Sequence, residues 1–151
     1  HRNMLYEFWL LCRKTKMNII SNKEEEIRFY GIDAPELTPC KKLKQDEIET
    51  HLSGRFLIEL AHQSYEFLRT KAKIGKRITL IQEVGNEQDP YGRTLAYVVL
   101  PNGNTLNEIM VKNGFAKAYD KLYCTELPKY QELNLKAKTK KKGLYLQVDR
   151  F

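Results

Sequence analysis

Short apolar segments separated by polar punctuation fill the first third of the chain: Tyr6 to Leu11, Lys16 to Ile20 and Glu26 to Ile32, with Ser21-Asn22-Lys23 as a turn. Such runs predict strands. Ala34-Pro35 ends the third one, because a residue before proline is pushed into extended geometry. Thr38-Pro39-Cys40-Lys41-Lys42 reads as an irregular basic loop. From Asp46 the period changes. Ile48, Leu52, Phe56 and Leu60 recur every four residues, and Tyr65, Leu68 and Ala72 carry the pattern on, so helix is expected to about residue 74. Gly54 is placed to kink or divide that helix, and Gly75 to stop it.

Arg77 to Val84 alternates, with Ile78, Leu80 and Gln82 on one face and Thr79, Ile81 and Glu83 on the other. Gly85 to Pro90 is a loop, Thr94 to Leu100 a buried strand, and Pro101-Asn102-Gly103-Asn104 a tight turn. Leu106 to Lys112 reads as a short helix with Leu106, Ile109 and Met110 inward and Gly114 as its stop. The last helix spans Pro128 to Lys142, with Tyr130, Leu133 and Ala137 as its buried face. Its end, Lys138 and Lys140 to Lys142, suits the negative pole of the helix dipole. Strands, helix, strands, helix, helix, with no repeat and no linker, describe an α+β plan, mainly β, built as a small barrel. A single domain over residues 1–151 is expected.

Composition narrows this further. The 151 residues are 42% hydrophobic and 30% charged, which fits a globular core and excludes a disordered chain. A formal charge of +7 favours an anionic partner such as nucleic acid, although lysine-rich surfaces also serve solubility alone. No apolar run approaches the ~20 residues needed to span a bilayer, so no membrane partner is expected. Met4 to Leu11 is too short and too interrupted for a signal peptide and reads better as an opening strand. Cys12, Cys40 and Cys124 match no zinc spacing, and free thiols are the simplest reading.

Chemistry concentrates in two stretches. In Ile27-Arg28-Phe29-Tyr30-Gly31-Ile32-Asp33-Ala34-Pro35-Glu36-Leu37, two carboxylates flank a proline where a strand ends. That geometry can aim both into one cleft, one holding a cation and the other holding or deprotonating water. Strand alternation puts Arg28 and Asp33 on opposite faces unless a bulge or turn intervenes. Asp89-Pro90-Tyr91-Gly92-Arg93 is a turn able to present Tyr91 and Arg93 at the same cleft. Two guanidiniums with two carboxylates suit phosphodiester cleavage, the forks gripping phosphate oxygens. Each charged residue also has an ordinary alternative: Asp33 as a turn cap, Glu36 as a solvated charge, Arg93 as an exposed arginine at a strand start, and Arg28 as the structural partner of a carboxylate.

Together, Arg28 to Glu36 and Asp89 to Val98 resemble the two signature blocks of the staphylococcal nuclease (thermonuclease) family. The likeness continues through Leu106-Asn107-Glu108 and Val111-Lys112-Asn113-Gly114-Phe115-Ala116 to Lys142-Gly143-Leu144-Tyr145, covering roughly residues 9 to 146. It implies an OB-fold five-stranded β-barrel with about three helices, plus an inserted helical segment at about residues 41–59. It also implies cleavage of DNA and RNA phosphodiesters with calcium, leaving 3′-phosphates. Arg28 and Arg93 would then hold the scissile phosphate. Asp33, with the Ala34 backbone carbonyl, would bind the metal, and Glu36 would orient or activate water. Tyr91 would contact a substrate phosphate, with Tyr119 and Tyr123 as further cleft residues. Bacterial members tend to be secreted or periplasmic, which the resemblance favours over the cytoplasm, although the sequence itself leaves the compartment open.

One departure touches the metal. The family's Asp-Gly-Asp-Thr motif aligns with Cys12-Arg13-Lys14-Thr15, so the calcium-ligand aspartate becomes Lys14. A lysine beside a dication is unfavourable by about 4 kcal/mol per unit charge pair at 4 Å and an effective dielectric of ~20. Calcium use is therefore in doubt, and three explanations stand open. The chain is a weakened or inactive relative that binds nucleic acid or a protein partner; or Lys14 partly replaces the metal's charge; or Glu7 or the Glu24 to Glu26 run completes the site. A second departure is the insertion itself, which reads as a lid, a partner surface, a specificity element or extra packing over the barrel. Because the family's tyrosine-bearing loop edges the same cleft, a Cys40–Cys124 bridge is a further expectation in an oxidising compartment.

Overall fold

A computed structural model describes residues 2–13, 16–20, 24–37, 40–73, 75 and 77–151, the strands up to residue 25 by their backbone alone. The first strand, β1 (Arg2–Arg13), pairs antiparallel with β2 (Lys16–Ile20), and β2 with β3 (Glu24–Phe29). Further along, β5 (Arg77–Gln82) pairs antiparallel with β6 (Thr94–Val99). Two pairings join these sets. β3 runs parallel to β6, with Arg28 opposite Leu95, and β1 runs antiparallel to β5. The pairings thus follow β1-β2-β3-β6-β5 and return to β1. A register shift in β1 between Met4 and Phe8 adds the local bend that such curvature needs.

The alternation of β5 is as its sequence demands: Ile78, Leu80 and Gln82 are buried and their neighbours are not. β6 is buried on both faces, from Leu95 through Val98. Ala96 and Val98 join Ile27, Ile78, Leu80 and Leu106 in one apolar cluster, while Leu95 and Tyr97 join Tyr30, Ile32, Met110, Val111 and Tyr130 in another. Two-sided burial explains why this strand reads as a continuous apolar run.

Four α-helices are present among the described residues. α1 (Lys41–Thr50) and α2 (Gly54–Lys71) are separated by His51, whose φ of 60° turns the chain out of the helix. α3 (Leu106–Lys112) begins at Thr105, whose hydroxyl accepts the Glu108 N–H, and α4 (Leu127–Thr139) begins with Pro128 in its first turn. A 3-10 turn, Gly143–Leu146, follows. The architecture is α+β with a mixed sheet and these four helices.

Three expectations need correction. Lys41 and Lys42 are helical and not loop, because the Cys40 sulfur accepts the Leu43 N–H and starts α1 five residues earlier than Asp46. Ile48 is 68% exposed: the break at His51 cancels the four-residue register that tied it to Leu60. On α3 and α4 the inward stripe is polar in part. Asn107 and Asn134 are buried, whereas Ile109 and Leu133 are only partly covered.

Asn107, fully buried, braces the centre. Its Oδ1 accepts the Val98 N–H, and its amide donates to the Tyr30 and Ala96 carbonyls. Without it, the chain leaving β3 would carry unmet polar groups in the core. A third apolar cluster, Leu43, Leu57, Leu60, Ala137, Leu144, Tyr145 and Phe151, fixes α1 and α2 to the end of α4.

Candidate active site

The site begins at the end of β3. Tyr30-Gly31 makes a turn with Gly31 at φ +71°, a conformation that L side chains rarely adopt. Space enforces the same choice, since a Cβ there would lie 2.7 Å from the Tyr130 ring and 2.9 Å from the Cys124 sulfur. Past the turn, β4 (Ile32–Asp33) pairs with β7 (Lys117–Ala118), and the Tyr119 N–H donates to the Gly31 carbonyl at 2.8 Å. The turn is the interruption that alternation required. It brings Arg28 Nη2 to 3.5 Å from Asp33 Oδ1, although strict strand parity would have kept them apart.

Arg28 also lies over the Tyr119 ring, 5.0 Å from its centre. Arg93 arrives from the neighbouring strand of the parallel pair, just ahead of β6. Its Nε donates to Asp89 Oδ2 at 2.6 Å, while Asp89 Oδ1 accepts the backbone N–H groups of Tyr91 and Arg93 at 2.9 Å each. Burial acts to raise the Asp89 pKa, but these bonds from Arg93 and Tyr91 prevail and hold it below the usual aspartate range. Tyr91 is 85% exposed, with the Arg93 guanidinium 5.8 Å from its ring centre.

Arg28, Asp33, Ala34, Glu36, Tyr91, Arg93 and Tyr119 all line one open cleft of about 870 Å³, whose far wall is Ser64, Tyr65 and Leu68 of α2. Glu36 is half-buried in it. Its pKa is raised, first by burial and then by the Asp33 charge, with Lys42 and Arg28 opposing. A carboxyl so placed is a stronger proton acceptor than an exposed one.

Tyr123 is not in the cleft. It is 69% exposed, and its segment is tied to the opposite turn, since the Asn86 amide donates to the Tyr123 carbonyl and the Thr125 N–H to Glu83. Cys40 and Cys124 are separate free thiols: Cys40 is exposed at the start of α1, and Cys124 is buried beneath the Gly31 turn. Lys14 and Thr15 lie outside the described residues, as do the side chains of Cys12, Glu7, Glu24 and Glu25.

Sequence reasoning missed three residues. Asp89, read as part of a turn, is the anchor of Arg93. Lys42 and Asp46 on α1 face Asp33: Lys42 Nζ stands 3.0 Å from Asp33 Oδ2 and 2.7 Å from both Asp46 oxygens. Burial alone would lower the Lys42 pKa, but the two carboxylates raise it to about 12. The four-residue spacing of Lys42 and Asp46 is a helical ion-pair signal, available only once α1 is started at Lys41.

Among the described residues, this arrangement does not fit calcium as it stands. Asp33 has one oxygen facing Arg28 and the other facing Lys42, and among the described residues no trio of acidic, histidine or cysteine side chains is placed to hold a metal ion.

The chain is 34% identical over 95 residues to Endonuclease YhcR of Bacillus subtilis (strain 168), covering 62% of this chain and 7% of that protein. It is 41% identical over 128 residues to an uncharacterised protein of Bacillus anthracis, covering 83% of this chain and 53% of that one. An uncharacterised endonuclease of Escherichia coli O157:H7 is 32% identical over 129 residues, 85% of this chain and 68% of its own length. The chain thus spans a small part of the first of these relatives and about half of the second. The model of the staphylococcal nuclease homologues matches residues 26–147, from β3 through the closing 3-10 turn, and the chain belongs to that family.

Proposed function

We propose that this chain is a nuclease that hydrolyses phosphodiester bonds of DNA or RNA. The observation that carries the reading is the convergence of Arg28, Arg93, Asp33 and Glu36, with Tyr91 and Tyr119, on one cleft. The strand pairing, with its parallel β3–β6 join, supports an OB-type barrel, and α1 supports reading residues 41–59 as an insertion within one domain. A net charge of +7 supports a polyanionic substrate.

In this reading the forked ends of Arg28 and Arg93 hold the non-bridging phosphate oxygens, and their charge offsets what builds on phosphorus in the transition state. Glu36 takes a proton from water as the water oxygen bonds to phosphorus. The bond from phosphorus to the leaving ester oxygen breaks, and that oxygen takes up a proton, releasing an alcohol and a phosphate monoester. Asp33 holds Arg28 in place from beneath. Tyr91 and Tyr119 flank the arginines and offer faces for the substrate strand.

The test compares the protein with Glu36→Gln on single-stranded DNA and RNA. Cleavage by the parent, its loss in Glu36→Gln and equal strand binding by both support the reading. Equal cleavage by both refutes it. The rival reading, a non-catalytic module that binds nucleic acid or a protein, is motivated by Lys14 standing where the family has its ligand aspartate, and tight binding by the parent with no cleavage identifies it.

A further inference from the structure

Lys42 occupies a position that the proposed chemistry does not use, and its surroundings define what it does. Asp33 and Asp46 have side chains only 7% and 6% exposed, and they approach each other from different elements, β4 and α1. Two buried carboxylates side by side repel unless a cation lies between them. Here it is the Lys42 ammonium, within hydrogen-bond distance of three carboxylate oxygens. A calcium ion in that place would use the same oxygens at about 2.3–2.6 Å, so ammonium and dication exclude one another. Nor is Lys42 a loose surface chain. Leu43, next to it, is 4% exposed in the cluster that joins α1 to α2 and α4, and Cys40 caps the same turn.

We propose that Lys42 is the built-in cation of this site, holding Asp33 and Asp46 together and taking the place of a divalent ion beside Asp33. The positive charge is then delivered by the α1 segment and not by solution metal. The inference rests on the nuclease reading for its catalytic consequence, but not for the occupancy of the position. Lys42 acts as a positioning residue: it fixes Asp33, and through Asp33 it fixes Arg28 at 3.5 Å.

Two measurements on the full chain test this, each made on the parent, Lys42→Met and Lys42→Arg. The first is the thermal shift produced by calcium alone at about 1 mM, the weak end of protein calcium sites. The second is cleavage of single-stranded DNA and RNA in chelator. The parent should show no calcium shift and should cleave in chelator. Lys42→Met should gain a calcium shift and lose cleavage in chelator by about 10- to 100-fold, the scale of losing a group that orients the residues touching substrate. Lys42→Arg should stay indifferent to calcium and recover most of the rate. A calcium shift in the parent equal to that of Lys42→Met overturns the inference, as does cleavage by the parent that chelator abolishes. If no variant cleaves but the calcium shift appears only in Lys42→Met, the nuclease reading falls and the built-in cation stands. If Lys42→Met does not fold, the parent decides: a calcium shift overturns the proposal, and chelator-resistant cleavage without one supports it.

Discussion

Replacing Asp89 with asparagine exchanges one oxygen for an amide and keeps the side chain's shape. Asparagine Oδ1 can still accept the Tyr91 and Arg93 backbone N–H groups, so the turn should survive. Its amide, however, would face the Arg93 Nε–H now 2.6 Å from Asp89 Oδ2, donor against donor. A charge-assisted bond of this kind contributes about 1.5–3 kcal/mol. The Arg93 side chain is 41% exposed, so solvent screening brings the stability loss to about 1 kcal/mol. The functional loss should be larger, because an untethered guanidinium has to be ordered again at each turnover. A drop of 10- to 100-fold in kcat/KM is expected, about 1.4–2.8 kcal/mol of transition-state stabilisation. Steady-state cleavage of a labelled oligonucleotide, beside a thermal melt of the same samples, reads both numbers. The acid limb adds a control. Because the Asp89 pKa is held down in the folded state, its stabilisation is present above the ordinary aspartate value and is lost as pH falls through the lowered one, and Asp89→Asn should remove that component. Unchanged kcat/KM at normal folding would show that Asp89 does not position Arg93.

Further outcomes follow from the same geometry. With Glu36 as base, cleavage should fall on the acid side as pH drops through a value above that of an ordinary glutamate, and a pH–rate profile whose acid limb sits at the ordinary value would refute that role. Gly31→Ala should cost roughly 2–4 kcal/mol in a denaturant melt, combining a strained positive φ with contact against Tyr130 and Cys124; a loss below 1 kcal/mol would mean the turn relaxes freely. Burial, partly offset by the Glu83 N–H, raises the Tyr30 pKa to about 12. The unfolded tyrosine ionises first, so stability should be intact below about pH 10 and decline as pH rises through about 12. Tyr97, Tyr130 and Tyr145 are raised by burial too, so Tyr30→Phe should remove only its own share of the alkaline decline in equilibrium unfolding, and an unchanged slope between about pH 10 and 12 would refute that share.

What could be read from the sequence was whatever depends on local periodicity. The bounds of α3 and the buried face of β5 follow from spacing alone, and so does the two-sided burial of β6 once its unbroken apolar run is noted. The cleft residues are legible from the Arg28–Glu36 and Asp89–Val98 blocks and their resemblance to the family's signatures, Tyr119 through the resemblance alone. The rest depends on contacts that leave no local trace. Cys40 begins a helix with a sulfur, which is a weak acceptor and no sequence signal, so the sequence alone places Lys42 in a loop and hides its partnership with Asp33. Asp89 looked like turn chemistry because half of its role is turn chemistry. Tyr123 has the composition of a cleft residue but is held elsewhere by Asn86, whose amide is 3.0 Å from its carbonyl across 37 positions of chain.

The two-stranded sheet of β4 and β7 ties the acid half of the cleft to a different part of the polypeptide from the half bearing Arg28 and Arg93. A fragment ending before Lys117 would possess both guanidiniums, Asp33 and Glu36, yet lack the partner strand that pairs with Asp33. Such a truncated polypeptide is expected to be inert, and a cleavage assay on it beside the full chain checks this. Protease nicking between Ala116 and Tyr119 should silence the protein for the same reason.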